Sequence, residues 1–289
     1  MDTNDLQCLL AVADTGSFSR AAERVHLSQP AVSKRIAALE HELGARLFDR
    51  VAKRVRPTEA GDALLGRARQ IITELADIRR ALANLDGGIG GTLAVATSHH
   101  VGLHRLPMPL RKYHERFPAV KLDLRFMDSE AACNAVANGE IEIGIVTLPT
   151  IQRPPLRALP VWDDPLEFVV GRNHPLAARR RVTRKELLAE PAILPGGGTY
   201  TRTIILRALG ASAQAISVGM STNYLEVLRM LTATGLGWSC LPRTLIDDAL
   251  KVIQIEKVRV RRTLGIVTHE GRTLSNAARA LIDVVRSAT

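Results

Sequence analysis

The sequence predicts an α/β chain in which a small winged helical module, a long helix and a two-lobed α/β domain follow one another. Three observations carry this reading. Three short amphipathic segments, each marked by cap or turn residues, fill the first forty-odd residues. Apolar residues then recur at spacings of 4, 3, 4, 3 and 4 from Leu64 to Leu82. Beyond the glycine run at 87–91, strand-like and helix-like segments alternate to the end of the chain.

Leu6, Leu9, Leu10 and Ala13 share one helical face, and Thr15-Gly16 ends that helix. Ser17 caps a second helix, Phe18 to Val25, expected to bury Phe18, Ala21, Ala22 and Val25. After a tight turn at His26-Leu27, Ser28 caps a third helix with Pro30 in its first turn, where a missing N–H costs little. Val32, Ile36, Leu39 and Leu43 form its apolar stripe, while Gln29, Ser33, Lys34 and Arg35 crowd the polar side of its N-terminal end. Two helices joined by a short turn fit a helix-turn-helix, whose second helix can reach base edges in the major groove. There Gln pairs bidentately with adenine, and Lys or Arg with guanine. A plain helical bundle with a solvated polar face fits the same residues.

Residues 47–58 alternate Val with base and close on Pro57, which predicts a two-stranded wing. It would offer Arg50, Lys53, Arg54 and Arg56 to phosphates or to the minor groove. The net charge of +10 does not come from this module: residues 1–90 hold 13 basic against 12 acidic side chains. Basicity is local, nine bases against four acids between Arg20 and Arg56.

The run Phe18-Ser19-Arg20-Ala21-Ala22-Glu23, then Leu27-Ser28-Gln29-Pro30-Ala31-Val32-Ser33, Leu47-Phe48-Asp49-Arg50 and Pro57-Thr58-Glu59-Ala60-Gly61, resembles the winged helix-turn-helix of LysR-type regulators. The likeness is dense over about sixty residues. It implies double-stranded DNA as a partner, bound by dimers or tetramers, and RNA polymerase as a further one. It assigns base and backbone contacts to Gln29, Pro30, Ser33 and Lys34, and wing contacts to Arg50 and Arg54.

Thr58 caps the long helix that carries the heptad-like seam, which reads as a dimerisation surface; an amphipathic helix lying on its own domain is the alternative. It resembles the linker helix of the same family. Asp86-Gly87-Gly88-Ile89-Gly90-Gly91 then breaks the helix. Domains are therefore expected at 1–58, 59–91 and 92–289.

In the last of these, strands are expected at 93–96, 120–126, 141–146, 167–170, 216–218 and 236–241. Helices are expected at 103–117, 129–138, 183–189, 201–209 and 222–231. This alternation predicts parallel sheets covered by helices. Asn173-His174-Pro175-Leu176 and Gly235-Leu236-Gly237-Trp238 are similar to the family's effector domain, whose fold resembles periplasmic binding proteins. The likeness places lobe I at 92–162 plus 265–289 and lobe II at 163–264. Thr97-Ser98-His99-His100 and the stretch from Gly196 to Arg202 each leave a strand and enter a helix, presenting amides and hydroxyls that favour an anion. Ser98, His99, His100, Thr147, Thr199, Thr201 and Arg202 are thus the expected effector contacts, with Arg202 or His100 as charge partner, and a small carboxylate as the effector. Ser98 and Thr201 could equally be plain helix caps.

Several classes are excluded or disfavoured. There is no GxSxG, GxxxxGK[ST] or HExxH, so no enzyme is expected. Cys8, Cys133 and Cys240 lack ligand spacing and read as buried thiols, with a regulator switched by thiol oxidation, or acting without an effector, as the alternative. His99, His100 and His104 have no carboxylate or Cys beside them in sequence, so no metal or cofactor is expected. Arg179–Arg181 and Lys257–Arg262 read as solvated surface, the latter as a charged edge strand. The acidic N-terminus is no secretory signal and no stretch is long and apolar enough to span a bilayer, so a cytoplasmic protein, not a solute-binding one, is expected.

Overall fold

The structure, a computed structural model, describes residues 1–51, 54–85, 87–179, 181–210 and 216–288, without the side chains of Arg50, Val51 and Arg54. Contacts divide the chain into two compact units, Met1–Asp86 and Gly87–Thr289.

In the first unit, α1 (Thr3–Thr15) begins in a reciprocal capping box between Asp2 and Asp5 and ends on Gly16, whose φ of 61° is the left-handed turn a glycine takes without strain. Helix α2 (Phe18–Arg24) is capped by Ser17, and α3 (Gln29–Leu43) by Ser28, whose Oγ accepts from the Ala31 amide at 3.4 Å. Val32, Ile36 and Leu39 are buried against Leu6, Leu9 and Val12 of α1, each worth roughly 1.5–3 kcal/mol. Leu43, expected in that stripe, is exposed, because the helix ends one residue later at Gly44 and has outrun α1. Phe18 and Val25 are half-buried at the margin of the same core.

Strands β1 (Phe48–Val51) and β2 (Arg54–Pro57) pair antiparallel as the wing. Helix α4 (Glu59–Leu85) starts where Thr58 Oγ1 accepts from the Gly61 amide at 3.1 Å. Leu65 and Ala68 join the core of the unit, but Ile71, Ile78, Leu82 and Leu85 are exposed. Their apolar stripe therefore has no partner among the described residues of the unit.

The second unit carries a nine-stranded sheet in the order β4-β3-β5-β11-β6-β9-β7-β8, with β10 also paired to β6. Its strands are β3 (Gly91–Thr97), β4 (Val120–Phe126), β5 (Ile143–Thr147), β6 (Leu156–Gly171), β7 (Ala192–Leu194), β8 (Val218–Ser221), β9 (Trp238–Pro242), β10 (Leu250–Val252) and β11 (Val260–His269). Its helices are α5 (His99–His104), α6 (Pro107–Arg116), α7 (Ser129–Ala137), α8 (Arg184–Ala189), α9 (Tyr200–Leu209), α10 (Leu225–Ala233) and α11 (Asn276–Ser287). The expected parallel pairing holds for β3 with β4 and β5, and for β7 with β8 and β9.

The long strands β6 and β11 depart from it. They pair antiparallel with each other, and β11 also pairs antiparallel with β5. One core contains Trp162 of β6 and Leu264 of β11, with α11 packed on it; another contains Leu166 and Val260. Both strands therefore pass from one lobe to the other within three or four residues. Gly265 marks a bulge in this crossing, where a Cβ would lie 2.3 Å from the Leu159 carbonyl oxygen. Strand β11 is central, not the exposed edge expected from its alternating bases, and Arg262 on it is only 4% exposed. The sequence pattern misled because a lobe-crossing strand alternates too, with one charge turned inward to a partner.

Candidate functional site

On the first unit, Gln29, Pro30 and Lys34 are exposed at the start of α3, and Ser33 is half-buried beside them. Gln29 Nε2 donates to Ser33 Oγ at 2.8 Å, which holds the amide along the helix face. Arg35 is engaged elsewhere: its Nη1 lies 2.8 Å from Asp5 and 3.6 Å from Asp2, pinning α3 to the start of α1. Arg50 and Arg54 occupy the two wing strands, paired in register with Val55 and Val51. Lys53 lies outside the described residues.

In the second unit the two lobes face each other across a cleft of about 340 Å³. Ser98, His99, His100, Thr147, Thr199 and Thr201 all line it; Arg202 does not. Arg202 Nη1 instead donates to the Pro195 carbonyl at 3.2 Å. The cleft's guanidinium is that of Arg262, which sequence reasoning had set on the surface.

Arg262 sits in a buried network at the strand crossing. Its Nε donates to Asp164 Oδ2 at 2.8 Å, directly across the β6–β11 pair, and its Nη1 donates to Thr201 Oγ1 at 3.0 Å. Arg105, after α5, reaches the other oxygen of Asp164 at 3.1 Å. One carboxylate thus holds two guanidinium groups, from the strand crossing and from lobe I, while Thr201 ties in lobe II. Arg262 Nη2 is buried with no hydrogen-bond partner among the described residues. A buried donor left in that state costs more than an ordinary hydrogen bond returns, and for a charged group the cost is larger.

The other polar groups divide into caps and free groups. Thr199 caps α9, accepting from the Arg202 amide at 3.3 Å and donating to the Gly196 carbonyl at 2.9 Å. Ser98 occupies the cap position of α5 but makes no capping hydrogen bond, so its hydroxyl is not committed to that role. The Thr147 amide donates to Ser129 Oγ at 3.2 Å at the end of β5. The α9 N-terminus, expected to receive an anion, already has one: Glu130 accepts from the Tyr200 amide. Asn223 Nδ2 donates to Asp128 Oδ2 at 2.7 Å, and the His99 ring packs on Tyr224 at 4.7 Å between centroids, so both contacts join the lobes.

His100 is 4% exposed, and burial, reinforced by the Arg262 charge, holds its imidazole down to about 3. It is therefore neutral and cannot serve as a charge partner for an anion. Burial also raises the thiols of Cys133, up to about 11, and of Cys240. Polar groups in and around the cleft that were missed from sequence include Arg262, Asp164 and Glu130, all placed by long-range pairing.

A winged helix-turn-helix joined to a two-lobed α/β unit with a polar cleft defines a DNA-binding regulator with a ligand-type sensor domain. Residues 3–62 match the bacterial regulatory helix-turn-helix of the LysR family, and residues 86–289 match the LysR substrate binding domain. A probable RuBisCO transcriptional regulator from Synechocystis is 30% identical over 96% of this chain and 84% of its own. A full-length OxyR from Pseudomonas aeruginosa, in a variant with one cysteine replaced by aspartate, superposes with a TM-score of 0.73 at 25% identity, covering 99% of this chain and 95% of that one. CbnR complexed with its target DNA has the same fold, with a TM-score of 0.64 at 22% identity over the whole of both chains. The chain belongs to the LysR family of transcriptional regulators. No helix among the described residues is long and apolar enough to cross a membrane.

Proposed function

We propose that the chain regulates transcription in response to a small carboxylate bound in the cleft between its lobes. The observation that carries this is Arg262: a guanidinium lining the cleft, buried, with Nη2 lacking a partner among the described residues. A carboxylate oxygen is the acceptor that best completes it, since charge-assisted bonds are roughly twice as strong as neutral ones. Ser98 and Thr147 belong to the same lining, and their hydroxyls would orient the remainder of the ligand. Because Arg262 and Asp164 stand where β6 and β11 cross between lobes, a ligand completing the network favours one lobe arrangement.

On the DNA side, Gln29, Pro30, Ser33 and Lys34 are assigned to bases and backbone, and Arg50, Lys53 and Arg54 to the flanking phosphates or minor groove. Arg35 acts through α1, as a positioning residue. The exposed seam Ile71, Ile78 and Leu82 of α4 is assigned to a second copy of the chain, as paired half-sites require.

The test is thermal shift of the full chain against small carboxylates, their amides and their amines. A carboxylate at a hundred times its Kd should stabilise the protein by about 2.7 kcal/mol. Ser98→Ala should weaken the response. If the carboxylates leave the melting temperature unmoved while a neutral or cationic analogue raises it, the proposal fails. Footprinting on the protein's own promoter region with the active compound then reads the coupling to DNA.

A further inference from the structure

At one end of the cleft, sharing only His100 with its lining, a second cluster joins the lobes. His100 and His104 stand four residues apart on α5, so their rings share one helix face, with centroids 4.7 Å apart. Glu226, in the first turn of α10, comes to them from the opposite lobe. Its Oε1 lies 3.2 Å from His104 Nε2 and 3.9 Å from His100 Nδ1, and the three donor atoms all lie within 4.8 Å of one another. Sequence reasoning set the histidines aside for want of a carboxylate; the fold supplies one from 122 residues away.

We propose that His100, His104 and Glu226 form a divalent transition-metal site, with Zn²⁺ as its type ligand, that bridges the two lobes. Metal–nitrogen and metal–oxygen bonds of about 2.0–2.2 Å place tetrahedral donors roughly 3.4 Å apart, so these atoms need move by less than about 1.5 Å to close on one ion. Two imidazoles and one carboxylate suit zinc, cobalt or nickel and not calcium or magnesium, which take oxygen. A His104–Glu226 hydrogen bond with His100 as core filler would account for two of the three groups. It leaves the third unexplained: both ring nitrogens of His100 are buried with no hydrogen-bond partner among the described residues. A metal ion at Nδ1 satisfies one of them. Asp164 is occupied by Arg105 and Arg262, which leaves Glu226 as the carboxylate that meets the histidine pair. Three protein ligands leave further coordination positions for water or a cleft ligand. The site does not depend on the carboxylate reading above, because it is complete without an organic molecule.

The experiment is titration of the full chain with Co²⁺ and Zn²⁺, without any organic ligand, against a competing chelator. One ion should bind per chain, and Co²⁺ should show the intense visible bands of a site of low coordination number. His104→Ala and Glu226→Gln, both at partly exposed positions, should each weaken Zn²⁺ binding by about tenfold or more while leaving the metal-free melt intact. His114→Gln, at an exposed position on α6, should bind as the parent does. His100→Gln is read only for metal binding, since its burial couples it to packing. Equal affinity in the parent and both partly exposed variants overturns the proposal, as does weak octahedral Co²⁺ binding that His114→Gln reduces as much as His104→Ala.

Discussion

The reading face of α3 and the cleft of the second unit solve opposite problems. Gln29 and Lys34 are exposed, sit within about two turns of their cap, and touch little that the fold needs. Arg262 and Asp164 are almost wholly buried, stand 98 residues apart in the chain, and are ion-paired. A surface that reads a duplex can be changed residue by residue, because water satisfies whatever is removed. A buried charge cannot, since removing one partner strands the other. On the proposed reading, binding and stability are therefore separable in the first unit and joined in the second.

The largest effect that tests this contrast is at the strand crossing. Asp164→Ala should destabilise the protein by about 3–5 kcal/mol in a urea melt, because the buried Arg262 guanidinium would lose its carboxylate partner. A loss below about 1 kcal/mol would mean that the crossing is not a stability element. On the other side, Gln29→Ala should cost about 1–3 kcal/mol in binding to the preferred operator, measured by fluorescence anisotropy, with the melting temperature unchanged. Lys34→Ala should weaken all sequences alike and flatten the log–log salt dependence by about 0.9. Ser28→Ala lies between the two regimes: the lost cap should cost about 1 kcal/mol of stability and lower DNA affinity with it.

The smallest expected signal is from the thiols. Burial is the first cause that raises Cys133, to about 11, and Cys240 further, so the reactive thiolate is scarce in the folded protein at about pH 8. Labelling by a disulfide reagent should be slow in the native chain and fast in denaturant. Rapid labelling of either residue, or an oxidant response that disappears when both are changed to Ser, would revive a thiol switch.

Much of this could be read from the chain alone. The capped α1, α2 and α3, the wing, and the heptad-like α4 follow from cap residues and periodicity, which act over a few residues. The cleft hydroxyls Ser98, Thr147 and Thr201 were legible too, because each stands at a strand end or a helix start. Arg202 illustrates where local reasoning stops: it is in the right turn, yet its side chain goes to the Pro195 carbonyl. Nothing near Arg262 in sequence distinguishes it from the solvated bases around it.

Sequence by itself determined the helical reader, the long seam and much of the alternation of strands and helices, which depend on neighbours three to seven residues apart, though not β7 or α11. Only the tertiary structure decided which charge enters the cleft, that Glu130 fills the α9 N-terminus, and that Glu226 meets His100 and His104. These are pairings across lobes, and a charge's worth is set by whether burial and a distant partner arrive together.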